Sequence, residues 1–173
     1  MIMPSGQQQL LLPLNPAFMW GSLAVALLLN TIPLGRVVWV PDFLALAIVF
    51  WSMHQPARIG MGTAFAFGLL MDVQQSSMLG QHALCYTVLG FFAIMVHRRL
   101  LWYSVLSQAL QLLPLFALAH AIELAIRTIG GGVFPGWGLL LAPAIEAALW
   151  PVVSGLLLAP QRRTPEPDEN RPL

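Results

Sequence analysis

The sequence predicts an all-α integral membrane protein, a bundle of about six transmembrane helices. Three observations predict it. Of 173 residues, 58% are hydrophobic and only 9% charged. The mean hydropathy is +0.75. The apolar residues also run continuously between breaks of Gly, Pro and charge instead of alternating. A water-soluble domain of this length needs more polar cover. In hydrocarbon every backbone amide must be satisfied within a helix or a closed barrel, and runs without a period of two favour helices.

Each span takes about 20 apolar residues, and the runs place helices at roughly 18–34, 37–53, 59–75, 79–96, 105–126 and 137–159. The connection between the first two, around Leu34 to Val37, is very tight, and several spans are short for a core of about 30 Å. A five-span version with one re-entrant segment therefore stays open. The second helix opens with Pro41 and Asp42, where proline removes only an amide that lacks a partner and a carboxylate meets the positive end of the dipole.

In the third helix Gly60, Ala64, Gly68 and Asp72 recur at intervals of four and form one inclined ridge, a groove of small residues ending in a carboxylate. Asp72 lies about 20 Å along the axis from Arg58. Its plain reading is a helix-end acid bonded to backbone amides around Ser76, Ser77 and Gly80; contact with a partner or ligand is the other. The fourth helix carries the single cysteine, Cys85, in an apolar run, where it reads as a small buried hydrophobe.

His120, Glu123 and Arg127 share a face of the fifth helix, with Glu123 four residues before Arg127 in the order that favours an ion pair. In the last helix Glu146 and Trp150 are four apart, and Pro151 should bend the helix and free backbone carbonyls. No basic residue lies one turn from Glu146. Ionisable groups in hydrocarbon cost a few kcal/mol each, so Asp42, Asp72 and Glu146 are all candidates for function. Trp39, Trp102, Tyr103, Trp137 and Trp150 fall near predicted span ends, as interface anchors do. The Gly130, Gly131, Gly132 run reads as a flexible turn, not a phosphate loop.

The chain has no Lys, so its eight arginines alone mark topology. Arg58, Arg98, Arg99, Arg162, Arg163 and Arg171 fall on one side of the predicted bundle, against Arg36 and Arg127 on the other. The positive-inside bias puts both termini in the cytoplasm. The expected organisation is a short cytoplasmic N-terminal segment, residues 1–15, without the features of a cleaved signal peptide. A transmembrane domain, 16–159, follows, and then a disordered cytoplasmic tail, 160–173, too polar to bury much surface. The basic turns at His54 to Arg58 and His97 to Arg99 read as cytoplasmic surface, able to meet anionic lipid or an acidic partner. Histidines stand singly, with no spacing suited to zinc, and no nucleophile elbow is present; neither metal nor cofactor is expected, nor nucleic acid as a partner.

A set of short motifs in fixed order narrows the field: Pro41-Asp42-Phe43 through Trp51 and Gln55-Pro56; Gly62 to Gly68 with Asp72; Leu79-Gly80; Leu101-Trp102 with Gln108-Ala109; and Glu146 through Leu149-Trp150-Pro151. Together, from about Pro41 to Pro151, they resemble the MreD family of rod shape-determining membrane proteins. In the last motif the family often has a polar amide where this chain has Glu146. The resemblance implies a subunit of the bacterial cell-elongation complex in the inner membrane, without catalytic activity of its own. It also implies direct association with MreC and, through it, with MreB, RodA and a class B penicillin-binding protein. A fold like the substrate-binding S-component of energy-coupling-factor transporters is a further implication. Gly60, Ala64, Gly68, Asp72, Asp42, Glu146 and Trp150 are the expected packing or partner-binding residues. The alternative is a substrate-binding membrane subunit of a small-molecule transporter, although the two halves show no internal repeat and the acids gather toward one side.

Overall fold

The computed structural model describes residues 15–32, 40–134 and 136–161. They form six α-helices and, among the described residues, no strand: α1 Pro16–Thr31, α2 Phe43–His54, α3 Met61–Gln75, α4 Gln81–Leu100, α5 Val105–Ile129 and α6 Ala142–Leu158. Short 3-10 turns, Trp137–Leu141 and Ala159–Gln161, flank α6. The architecture is the all-α membrane bundle that the sequence predicts. Helix α4, helix α5 and the segment Trp137–Gln161 are each long and apolar enough to cross a membrane. The N-terminal segment through residue 14, the connection around Leu34 to Val37, Arg36, Trp39, and the tail from Arg162 onward lie outside the described residues.

Helix starts follow local chemistry. Asn15 accepts the amide of Ala17 at 3.0 Å with Pro16 at the first helical position, Asp42 accepts the amide of Ala45 at 2.9 Å, and Ser104 accepts that of Ser107 at 3.4 Å. Each side chain takes up a donor that the first turn leaves without an intrahelical acceptor. The turn between α3 and α4 needs two left-handed residues, Ser76 at φ 51° and Gly80 at φ 100°.

Helix α2 is the core. It is apolar all round, and the ten residues Leu44 to Met53 are all buried, as expected of a helix with no polar face. Helices α1, α4 and α6 surround it. Trp51 meets the rings of Phe18 and Phe50 edge-on, and its indole N–H donates to Ser22 Oγ at 2.8 Å. With 12 residues α2 is about 18 Å long, well short of a bilayer core of about 30 Å. Protein surrounds it from Leu44 to Met53, and only its end residues Phe43 and His54 are part-exposed.

The ridge of small residues on α3 is filled within the chain. Ala64 is fully buried and Asp72 almost so, and α3 packs along its length on α4. A Cβ on Gly68 would stand 2.6 Å from the amide nitrogen of Ala83 and 2.7 Å from the carbonyl oxygen of His82, and closer still to the Ala83 Cα. Only glycine lets the two backbones approach this far. The neighbouring span that uses this groove is thus α4.

Two expectations need correction. Trp150 is not an interface anchor: it is completely buried beside Phe50, and its indole N–H donates to Gln108 Oε1 at 3.2 Å. An indole deep in a bundle needs such an acceptor, which α5 supplies. Trp102 and Trp137, by contrast, are 86% and 79% exposed. The Gly130 to Gly132 run is also more than a flexible turn: Met78 sits over Gly130, and the side chain of Arg127 occupies the space a Cβ on Gly132 would take.

Replacing Gly68 by Ala should destabilise the purified protein by about 1–3 kcal/mol through overpacking, seen as a fall in thermal midpoint in detergent. Gly62→Ala, a site with open space around it, should leave the midpoint unchanged. Equal midpoints for both variants would contradict the close α3–α4 approach.

Candidate functional site

Antiparallel helices bring the end of α1, the start of α2, the end of α3, the start of α4, the second half of α5 and the start of α6 to one end of the bundle. Polar side chains in that half converge on the first turn of α2. Because α2 starts within the bundle, its leading amides find protein acceptors. Three side chains provide them. Asn30 Oδ1 of α1 accepts the Phe43 N–H at 3.0 Å, the Asp42 carboxylate accepts that of Ala45, and Glu146 Oε1 of α6 accepts that of Asp42 at 3.0 Å. Asp42 in turn accepts the Asn30 amide at 2.6 Å and the Tyr86 hydroxyl of α4 at 2.5 Å.

Glu146 has its partner across the bundle, not along its own helix. His120 Nε2 of α5 donates to Glu146 Oε1 at 2.9 Å, and its other nitrogen stands 3.6 Å from Glu123 Oε2. The ion pair expected between Glu123 and Arg127 does not form. Glu123 is turned toward His120 and accepts Gln81 Nε2 at 3.3 Å, whereas Arg127, one turn nearer the helix end, points to the surface turn. The spacing allows the pair, but the buried His120 and Gln81 are nearer partners for Glu123.

A second cluster forms around Asp72. Its Oδ2 accepts the Gly80 N–H at 2.8 Å, and its Oδ1 accepts the His82 N–H at 2.8 Å, the Ser77 hydroxyl at 2.9 Å and the His82 ring at 2.8 Å. Asp72 thereby fixes the α3–α4 turn and supplies acceptors for the first amides of α4, which has no side-chain cap of its own. The two clusters face a small cavity of about 20 Å³ bordered by Asp42, His82, Tyr86, His120, Glu123 and Glu146. That is room for about one water molecule.

Of the residues singled out from sequence, Asp42 and Glu146 meet directly, and Asp72 lies across the cavity in the adjoining cluster. Gly60 and Ala64 lie along the α3 ridge away from the network, Gly68 packs on His82 and Ala83 at the edge of the Asp72 cluster, and Trp150 is one turn of α6 farther on beside Gln108. Gln108 entered only inside a motif that carries the resemblance, and sequence reading missed Asn30, Gln81, His82 and Tyr86. A signal for the last three was available, since Gln81 with Cys85 and His82 with Tyr86 recur at intervals of four on the opening turns of α4, the spacing of one helical face. Asn30 had only its polarity inside an apolar run. Among the described residues no group of three or more His, Cys, Asp or Glu is arranged to hold a metal ion. The chemistry in view is hydrogen bonding that fixes helix positions.

With that geometry in view, the comparisons with known proteins decide the family. Residues 13–159 match the family of the rod shape-determining protein MreD. The chain belongs to that family. It is similar to the rod shape-determining protein MreD of Haemophilus influenzae, 26% identical over 135 residues that cover 76% of this chain and 81% of that protein. No solved structure matches. Membership of the MreD family makes this a cell-shape protein, and its apolar helices make it a multi-pass membrane protein. The motifs that carry the resemblance meet in space: Asp42 with Glu146, Gly68 with the start of α4, and Gln108 with Trp150.

The Asp42–Tyr86 contact gives a direct measure of the network. Tyr86→Phe and Asp42→Asn should each lower the unfolding free energy in detergent, and the double variant should lose less than their sum by about 1 kcal/mol. Additive losses would remove the coupling. Glu146→Ala leaves both His120 and the Asp42 amide without an acceptor and should cost about 3–5 kcal/mol, measured as lost folded protein in membranes, while Glu146→Gln, which keeps an acceptor oxygen, should be milder. If Glu146→Ala were as stable as the wild type, the network would not hold α2.

Proposed function

We propose that this chain is a non-catalytic scaffold subunit of the bacterial cell-elongation complex in the inner membrane. In this reading it binds MreC directly and, through it, helps couple MreB to RodA and a class B penicillin-binding protein. The observation that carries the reading is the family match along nearly the whole helical region, residues 13–159. The internal architecture supports it. Six helices are tied at one end by side chains that bond one another, which suits a protein whose task is to present a fixed surface. Close packing of small residues is spent on the α3–α4 contact, so MreC would meet the outward faces of the bundle. Exposed apolar side chains such as Leu106 and Leu110 of α5 or Val152 and Leu156 of α6 offer van der Waals contact there, and such contact drives helix association in lipid. The arginine distribution supports termini in the cytoplasm, with the polar end of the bundle toward the outside.

Purified chain titrated with full-length MreC in detergent should gain thermal stability, about 2.7 kcal/mol at a hundredfold excess over the dissociation constant. Unchanged stability at saturating MreC would sink the direct contact. Stabilisation by a soluble small molecule with no response to MreC would favour a transporter subunit instead. In cells whose sole copy carries Asp72→Ala, rod shape should be lost, because the α3–α4 turn loses its acceptors; full complementation would show that the turn is dispensable.

A further inference from the structure

Beside the buried network, at the same end of the bundle, lies an open polar cleft of about 310 Å³. The α3–α4 turn forms one wall through Gln75, Ser76 and Ser77; Gln81, Glu123 and Arg127 of α4 and α5 form the other. Two features set it apart from an ordinary surface groove. Glu123 and Arg127, one helical turn apart, both border the cleft, yet among the described residues they form no ion pair with each other, and Arg127 forms none at all. Each side chain also has close neighbours. Glu123 accepts Gln81 Nε2 at 3.3 Å and has a His120 ring nitrogen at 3.6 Å, with about a quarter of its side chain exposed, and such a carboxylate keeps free lone pairs. At Arg127 the glycine turn sets the backbone: Gly132 donates its N–H to the Arg127 carbonyl at 2.9 Å, and only the missing Cβ at Gly132 leaves space for the arginine side chain.

An anion and a cation whose Cβ atoms are about 5–6 Å apart suit a ligand with the opposite pair of charges on a short bridge. The surroundings narrow the ligand further. Next to lining residues in the chain stand Leu79, Ile129 and Val133, which are 75%, 87% and 82% exposed, and Val73, 69% exposed, stands two residues before Gln75. Exposed apolar residues flanking a polar, zwitterionic lining along the chain fit an amphiphile lodged at the membrane interface better than a wholly soluble compound.

We propose that the cleft between the α3–α4 turn and the end of α5 binds a phosphoethanolamine headgroup, with the phosphate on Arg127 and the primary ammonium on Glu123. Gln75 and Ser76, both exposed on the turn, supply neutral donors to the phosphate oxygens. The lipid acyl chains run down over Val73 and Ile129. Phosphatidylcholine offers the same phosphate but no ammonium N–H, and phosphatidylglycerol offers no cation, so both lose the Glu123 contact.

The full chain, stripped of lipid in detergent, would be incubated with phosphatidylethanolamine, phosphatidylcholine or phosphatidylglycerol of matched acyl chains. Retained lipid is counted by native mass spectrometry. Phosphatidylethanolamine should be retained about fivefold more than either competitor, the contribution of one partly exposed ion pair. Arg127→Gln should bring its retention down to the competitors' wild-type level, and Glu123→Gln should abolish the preference over phosphatidylcholine. Equal retention of the three lipids by the wild type, or a preference for phosphatidylglycerol, would overturn the proposal, and neither reading requires a variant to fold. Free phosphoethanolamine that displaces the lipid at equal concentration would uphold the headgroup chemistry and assign the site to the soluble compound.

Discussion

The rest of the structure depends on one constraint: α2 starts within the bundle, and its leading amides take their acceptors from protein side chains. At 12 residues α2 is short for a bilayer core of about 30 Å, and its first turn is satisfied by neighbouring helices. Asn30, Asp42 and Glu146 meet that demand from three different helices. Each of these side chains is polar and has further partners, Tyr86 and His120, and Glu123, bonded to Gln81, lies 3.6 Å from the other His120 nitrogen. The polar network is thus the propagation of one local requirement through the bundle, and it accounts for why costly groups stand in an otherwise apolar chain.

The opposite half of the molecule is held differently. Trp51 and Trp150 fill the interior around α2, each with a single acceptor for its indole, Ser22 and Gln108. Toward the polar end, glycine at position 68 sets the α3–α4 separation. Packing fixes distances between helices, and the network fixes their relative height, because the Asp42 amide meets the Glu146 carboxylate at one register only. Together the two devices tie all six helices to one another.

Helix positions were legible in the sequence because hydrocarbon imposes a length and a continuity on each span, and the apolar runs from 59 to 75 and from 105 to 126 differ from α3 and α5 by at most a few residues at their ends. The roles of single polar residues were legible only where the partner is local. Asp42 as the cap of α2 and Asp72 beside Ser77 and Gly80 follow from spacing along the chain. Glu146 and His120 are 26 residues apart and meet only once α5 and α6 are packed, so no pattern within either helix reveals the contact. The favourable spacing of Glu123 and Arg127 misled for the same reason: a local ion pair competes with buried partners that spacing does not show. Trp150 lay near a span end in the sequence, yet α5 runs alongside it and covers it.

The shortness of α2 bears on how the two ends of the chain are joined. The first helical amide, that of Phe43, has its acceptor on the preceding helix, in Asn30, whereas the amide of the capping Asp42 has its acceptor 104 residues later, on α6. The first and last helices thus close on the same point from opposite ends of the chain, and a chain cut before Glu146 lacks one of its three acceptors.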